Sequence, residues 1–343
     1  MNRVTRFISD ILFDKEINLV FFPSKNNDKF WDKFVQIGSS HYVIPALYYK
    51  LKERDCLKLL NDELHSYLKE VYTQNYKRNL ELVKEVNEIS HILKNNNIDH
   101  VFLKGAALIS TLYKNSIGIR MVGDIDILIA EDQITDAKIL LKDYNYSDIV
   151  PPFFPFFKTK NLKHLPRLIN NNKIFAVELH RNITPKLKID YDKFLNSKKC
   201  LNKIFIPNTN NLLFHSIINF QLNDGGGLRA RFHFRTLFDV LNILDCQPDL
   251  MKKNSNSLHF KQIKVVMKNL NIMTSKTPLN LLFFEIRFRL INSFSFFSVI
   301  NKLLIDTFLF LSVSPRLRKK QIIGLFTRRD YRIYALKKIR LLK

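Results

Sequence analysis

Asp124 and Asp126 stand one residue apart inside Gly123-Asp124-Ile125-Asp126-Ile127-Leu128-Ile129. The alternation predicts a strand, in which residues i and i+2 point the same way, so both carboxylates share a face. Two carboxylates held that close repel each other, and an apolar core does not accept them as charges. A divalent cation between them removes the conflict. Mg²⁺ is usually bound by one or two carboxylates together with substrate phosphates. Two solvated acids at an exposed strand end are the plain alternative, against which Ile125, Ile127 and Leu128 make the strand read as interior. The same repulsion predicts that Asp124→Asn or Asp126→Asn leaves the melting temperature similar or higher in metal-free buffer.

The context adds chemistry. Upstream, Leu103-Lys104-Gly105-Ala106-Ala107 runs from an apolar segment into a helix at a glycine. Such a turn lets backbone N–H groups approach phosphate oxygens, and Lys104 supplies a cation. Downstream, Ile174 to His180 alternates, with Phe175, Val177 and Leu179 on one face and Ala176, Glu178 and His180 on the other. Glu178 on an adjacent strand would complete a two-metal phosphoryl-transfer site, where the protein mostly positions groups and neutralises charge. His180, two residues on, either hydrogen-bonds a metal ligand from behind or is a satisfied structural histidine.

These side chains need elements to hold them. Apolar residues three or four apart predict helices from Lys29 to Glu53, with Pro45 at a helix start, and from Asn61 to Lys94. Short strands are expected at His100–Lys104, Gly123–Ile129 and Ile174–His180, and helices at Ala106–Tyr113 and Asp132–Tyr144. After Pro207 the pattern is helical to the end, broken by a polar turn at Asn223–Gly227. With only three or four strand signals, a large doubly wound sheet is excluded. Phe153, Phe154, Phe156 and Phe157 read as a loop covering the core, with base stacking as the alternative.

The order Phe102-Leu103-Lys104-Gly105-Ala106-Ala107-Leu108, Tyr113, Gly118-Ile119-Arg120 and Gly123 to Ile129 closely resembles the family of uncharacterised nucleotidyltransferases, within the polymerase β-like nucleotidyltransferase superfamily. Trp31, Pro45-Ala46-Leu47-Tyr48, His164-Leu165-Pro166, Val177-Glu178-Leu179-His180, Phe214-His215 and Phe238-Asp239-Val240 extend the likeness over residues 25–250. The resemblance implies an α+β fold. A polymerase β-like core, a small mixed sheet with helices, would occupy 98–206 between helical regions at 1–97 and 207–343. It implies Asp124, Asp126 and Glu178 as catalytic metal ligands, Mg²⁺ (or Mn²⁺) as the ion and a nucleoside triphosphate such as ATP as substrate. Lys104, Gly105, Ala106 and Arg120 would surround the nucleotide, Arg120 gripping the triphosphate rather than being a surface arginine. A nucleotidyl group would pass to a protein, RNA, sugar or small-molecule acceptor as pyrophosphate leaves. Two departures stand out. Gly105-Ala106 replaces the common Gly-Ser or Gly-Gly, so no serine hydroxyl faces a phosphate there, and Arg181 stands where a tryptophan is expected.

The chain has 343 residues and a net charge of +24. Residues 251–343 hold 20 Lys and Arg against three acids, whereas 1–250 hold 35 against 28. Such a field attracts polyanions, although a Lys- and Asn-rich composition explains part of it. Two further readings arise: a non-catalytic nucleic-acid-binding protein, or a membrane-surface protein whose residues 315–343 form a basic amphipathic helix. With 46% hydrophobic residues, eight glycines and eleven prolines, disordered and collagen-like classes are excluded. Cys56, Cys200 and Cys246 have neither zinc nor redox-motif spacing and fit a reducing compartment. The N-terminus lacks a signal-peptide pattern. Phe294 to Leu311 is apolar but carries Asn301, Lys302 and Asp306, so it is expected to be a buried helix and not a transmembrane span. The protein is therefore expected to be cytoplasmic, at most membrane-peripheral.

Overall fold

The structure is a computed structural model and describes residues 2–14, 22–149, 164–184 and 191–338. The Phe-rich segment 153–157 lies outside the described residues. Four helices open the chain: α1 (Arg3–Phe13), α2 (Asp28–Ser40), α3 (Ile44–Glu53) and the long α4 (Asp62–Asn95). Asn2, Asn27 and Asn61 start three of them, each side-chain oxygen accepting a backbone N–H of the first turn. Pro45 lies in the first turn of α3, where a missing N–H costs nothing.

The central segment holds β1 (His100–Phe102), α5 (Lys104–Ser110), β2 (Asp124–Ile129), α6 (Ile134–Asp143), β3 (Ser147–Ile149), β4 (Arg167–Ile169), β5 (Ala176–His180), α7 (Tyr191–Asn196), β6 (Lys199–Leu201) and β7 (Ile204–Ile206). Five strands form one mixed sheet in the order β1-β2-β5-β4-β3, and β6 and β7 form a separate hairpin. Only β2 and β5 run parallel; the other pairs in that sheet are antiparallel. Strands β3, β4, β6 and β7 are three residues each, too short to show a period in sequence.

The rest is helical: α8 (Thr209–Ile218), a π-helical turn at Asn219–Asn223, α9 (Gly226–Arg229), α10 (Phe234–Cys246), α11 (Asp249–Lys253), α12 (Leu258–Asn269), α13 (Leu282–Ser293), α14 (Ser295–Ser312), α15 (Pro315–Thr327) and α16 (Arg329–Lys338). The expected break at Asn223–Gly227 is this π-turn followed by Gly225, whose φ of +71° suits a residue without a Cβ.

The two faces of β2 have separate fates. Ile125, Ile127 and Ile129 enter an apolar cluster that draws on α1 to α4, on the sheet and on helices as far as α13. Leu128 joins a small second cluster with Val101, Leu103, Ile183, Phe194 and Leu195. Asp124 and Asp126 occupy the remaining end of that second face.

Helix α14 overturns one expectation. Of its 18 residues only Asn301 is buried, so it is not a buried core helix. Its apolar side chains face outward because its polar ones, Asn301 and Asp306, hold it to the body through Arg287 and Arg229. By length and composition alone it is long and apolar enough to cross a membrane.

One ion pair ties the sheet region to the C-terminal helices. Arg120, 8% exposed, donates Nε and Nη2 to the two oxygens of Asp239 on α10 at 2.9 Å each, and Tyr113 donates to the same carboxylate at 2.8 Å. A second junction is His41, whose Nδ1 accepts the Phe234 N–H at 3.2 Å. Burial lowers the His41 pKa to about 4. Nearby His233 falls to about 3 through burial, assisted by Arg235.

Removing one partner of a buried pair strands the other charge, so Asp239→Ala should cost roughly 3–5 kcal/mol in denaturant unfolding. The apolar double variant Arg120→Met/Asp239→Leu should recover most of that loss. The histidines give a pH signature. Below about pH 6.5 the unfolded chain binds protons that the folded His41 and His233 refuse, so stability should fall as pH drops from 6.5 towards 4. Urea melts across that window should show a shallower fall for His41→Asn, which keeps an acceptor but does not titrate.

Candidate metal and phosphate site

The parallel register of β2 and β5 sets the site. Asp126 lies opposite Glu178, and Leu128 opposite His180. The i, i+2 rule then puts Asp124, Asp126, Glu178 and His180 on one face. Asp126 and Glu178 are each 4% exposed and His180 1%, so the face read from sequence as polar is buried. One ligand atom from each of Asp126, Glu178 and His180 lies within 4.8 Å of the others. Asp124 stands at the open edge.

Buried carboxylates need compensation, and each has a cation. The Nε2–H of His180 donates to Asp126 at 2.8 Å and lies 3.4 Å from Glu178. The Lys104 ammonium contacts the same oxygen of Asp126. Arg167 on β4 bridges the other two acids, donating Nε to Glu178 at 2.7 Å and Nη2 to Asp124 at 2.8 Å. His164 lies 3.8 Å from Glu178.

These contacts set the titration directions. Burial raises the Asp126 pKa, but Lys104 and His180 outweigh it and hold the carboxyl far below its ordinary value. Burial likewise opposes Glu178 ionisation, and His180 and Arg167 reverse that, leaving it below the ordinary glutamate range. Asp124 goes the other way. Burial, with Asp126 and Glu178 beside it, raises its pKa despite Arg167. Burial weakens the Lys104 charge, yet Asp126, Glu178 and Asp124 together raise its pKa.

Lys104 is held there by its backbone. Its φ is +46°, a left-handed conformation uncommon for a side chain with a Cβ, at the first residue of α5. Gly105 is required by packing: a Cβ there would lie 2.6 Å and 2.8 Å from the Val122 methyls and 2.9 Å from Arg120 Nη1. The loop that approaches it is fixed from α4. Asn75 donates to the carbonyls of Gly118 and Arg120 at 2.7 and 3.1 Å, Asn79 to Arg120 O at 2.8 Å, and Arg78 to Val122 O at 2.8 Å. A cavity of about 340 Å³ opens over this loop, lined by Lys104, Gly105, Arg78, Arg235, Asp124 and Asp126 among others. It shares Tyr42, Lys104, Arg120 and Arg235 with a larger neighbour of about 500 Å³ that reaches His41 and Phe232.

The structure thus brings Lys104, Gly105, Asp124, Asp126, Glu178 and His180 together. Ala106 does not join them: it is buried in the core. Arg120 reaches both cavities, but its guanidinium is committed to Asp239. Sequence reasoning missed the roles of Arg167, Arg78, Asn75 and Asn79. Three of these sit on α4 at positions 75, 78 and 79, one helical turn, and the signal was two asparagines on the inner face of a long helix.

The charge balance corrects one expectation. The two aspartates do not respond alike: at Asp124 burial, joined by the neighbouring carboxylates, outweighs Arg167, whereas at Asp126 Lys104 and His180 outweigh burial. Asp126→Asn should destabilise the metal-free protein by roughly 3 kcal/mol, since it strands the buried Lys104 and His180 contacts. Asp124→Asn should leave the midpoint unchanged or higher. Thermal melts in chelator-treated buffer separate the two.

Comparison with known proteins identifies the family. No match is found among curated proteins. The family of uncharacterised nucleotidyltransferases matches residues 27–255, which takes in α2 to α10, the whole sheet and every residue of the site. A small mixed sheet within an α+β chain agrees with such a fold, and the chain belongs to that family of nucleotidyltransferases.

Proposed function

We propose that the protein transfers a nucleotidyl group from a nucleoside triphosphate to an acceptor, with Mg²⁺ held by Asp124, Asp126 and Glu178. The observation that carries the reading is that these three carboxylates share one face of neighbouring parallel strands, with Asp124 and Asp126 lining a cavity rich in cations. The donor set suits a divalent cation. Carboxylate oxygens favour Mg²⁺, and Mn²⁺ also tolerates the imidazole of His180. The Nδ1 of His180 is buried without a hydrogen-bond partner among the described residues, so the ring has no competing anchor behind it. When bound, the ion would neutralise phosphate charge and polarise the α-phosphoryl group.

The chain's own residues supply the rest. Lys104 is 24% exposed at its side chain, lines the cavity and contacts Asp126, so it can serve either the acid or a phosphate oxygen. With no serine after Gly105, Lys104 carries the phosphate charge that a hydroxyl would otherwise help to bind. Arg78 and Arg235 line the same cavity, and Arg235 sits over the Tyr42 ring at 4.9 Å. Arg120 holds the wall by gripping Asp239, a positioning part rather than a phosphate clamp. The larger cavity, with His41, Tyr42 and Phe232, offers aromatic faces for a base and room for part of an acceptor. An acceptor oxygen would form its bond to the α-phosphorus as the bond to the β-phosphate oxygen breaks and pyrophosphate leaves.

Calorimetry with Mg²⁺ and a non-hydrolysable triphosphate tests the site without the acceptor. The wild type should bind, and Lys104→Ala should weaken binding by about 1.5–3 kcal/mol, the range for hydrogen bonds to charged groups. Asp124→Asn should remove the metal dependence of binding and any pyrophosphate release. Absence of metal-dependent binding by the wild type, or an Asp124→Asn variant that binds as the wild type does, would sink the reading.

A further inference from the structure

The exposed apolar surface is unevenly placed. Among the described residues, twenty of the thirty exposed large apolar side chains lie beyond residue 278. Helix α14 concentrates them. Phe296, Val299, Leu303, Leu304, Phe310 and Leu311 follow the helical repeat along one side, and Phe296, Leu303 and Leu304 are 68%, 61% and 65% exposed. Single exposed leucines need no account, but a continuous stripe of this kind marks an interaction surface.

Two polar side chains, Asn301 away from the stripe and Asp306 at its margin, fix how α14 is used. Asn301 accepts Arg287 Nη2 at 2.7 Å and donates to Arg229 O at 3.1 Å, and Asp306 accepts Arg229 Nη2 at 2.6 Å. These contacts strap the helix lengthwise to α9 and α13 with its apolar stripe outward. Crossing a bilayer would break them and carry Lys302 and Asp306 into hydrocarbon, where charged groups are costly. A helix polar on its inner side and apolar on its outer side is suited to lie in an interface.

The chain beyond α14 supplies the second observation. Residues 313–343 contain eleven Lys and Arg and one acid, Asp330. Arg316, Lys319, Arg329 and Arg332 are exposed on α15 and α16. We infer that α14 to α16 form a docking surface for an anionic lipid bilayer, α14 lying in the interface and the exposed cations of the two helices that follow it meeting the headgroups. Charge selects this occupant. Nucleic acid would satisfy the cations but leave the phenylalanines and leucines of α14 in water. A second copy would cover the apolar stripe but bring two strongly positive regions together.

Full-length protein with phosphatidylcholine vesicles, with and without phosphatidylglycerol, tests the inference by co-sedimentation. Binding should require the anionic lipid and be reversed by high salt. Leu303→Asp/Leu304→Asp and, separately, Arg316→Glu/Lys319→Glu should each lower the affinity roughly tenfold or more. All four side chains are exposed, so circular dichroism and the melting temperature should stay at wild-type values. Any of four results would overturn the inference: no binding to either vesicle; vesicle binding indifferent to Leu303→Asp/Leu304→Asp; binding that resists salt and alkaline carbonate, as a spanning helix would; or a dimer without vesicle binding that Leu303→Asp/Leu304→Asp dissolves. Retention on RNA, unaffected by the leucine substitutions and without vesicle binding, would assign the surface to nucleic acid instead.

Discussion

Two carboxylates cannot be buried side by side without cations, and the register of β2 with β5 sets Asp126 directly against Glu178. Much of the surrounding structure answers that constraint. Lys104, His180 and Arg167 arrive from α5, β5 and β4, three different elements; Lys104 and Arg167 contribute positive charge within contact distance, and His180 donates an N–H. The compensation is unequal: Asp126 is held strongly ionised, whereas Asp124 at the open edge is pushed towards its neutral form.

The same logic explains the polar side chains in one turn of α4. A loop that must lie close to Gly105 exposes its carbonyls at 117–123, and these need donors. Asn75, Arg78 and Asn79 supply them from one turn of a 34-residue helix. Arg120 leaves that loop on the other side to meet Asp239. The loop is thus clamped between an N-terminal and a C-terminal helix, and the three regions share one apolar cluster.

How much of this was legible in the sequence depended on range. Strands β2 and β5 and helix α4 were readable because their periodicity repeats over five or more residues. Grouping Asp124, Asp126 and Glu178 needed only the period-2 rule and a motif order. Strands β3, β4, β6 and β7 were not readable, because three residues carry no period; the equally short β1 was read only from the apolar run leading into the Lys104-Gly105 turn. Arg167 was invisible for the same reason: it acts from one of those strands, across 43 residues from Asp124. Arg120 was read as a phosphate ligand because sequence shows a charge but not its partner, and Asp239 lies 119 residues away. Helix α14 was misread because hydropathy reports how apolar a segment is and not what covers it.

Lys104 sits where two demands conflict. Its left-handed backbone favours glycine, while Asp126 requires a cation reaching in from that very Cα. Glycine would relax the main chain and abandon the acid; lysine serves the acid and keeps the main chain under tension. A search for sturdier variants by random mutation would therefore meet a position where the locally comfortable residue is the wrong one. Stabilising changes there would have to come from positions other than residue 104.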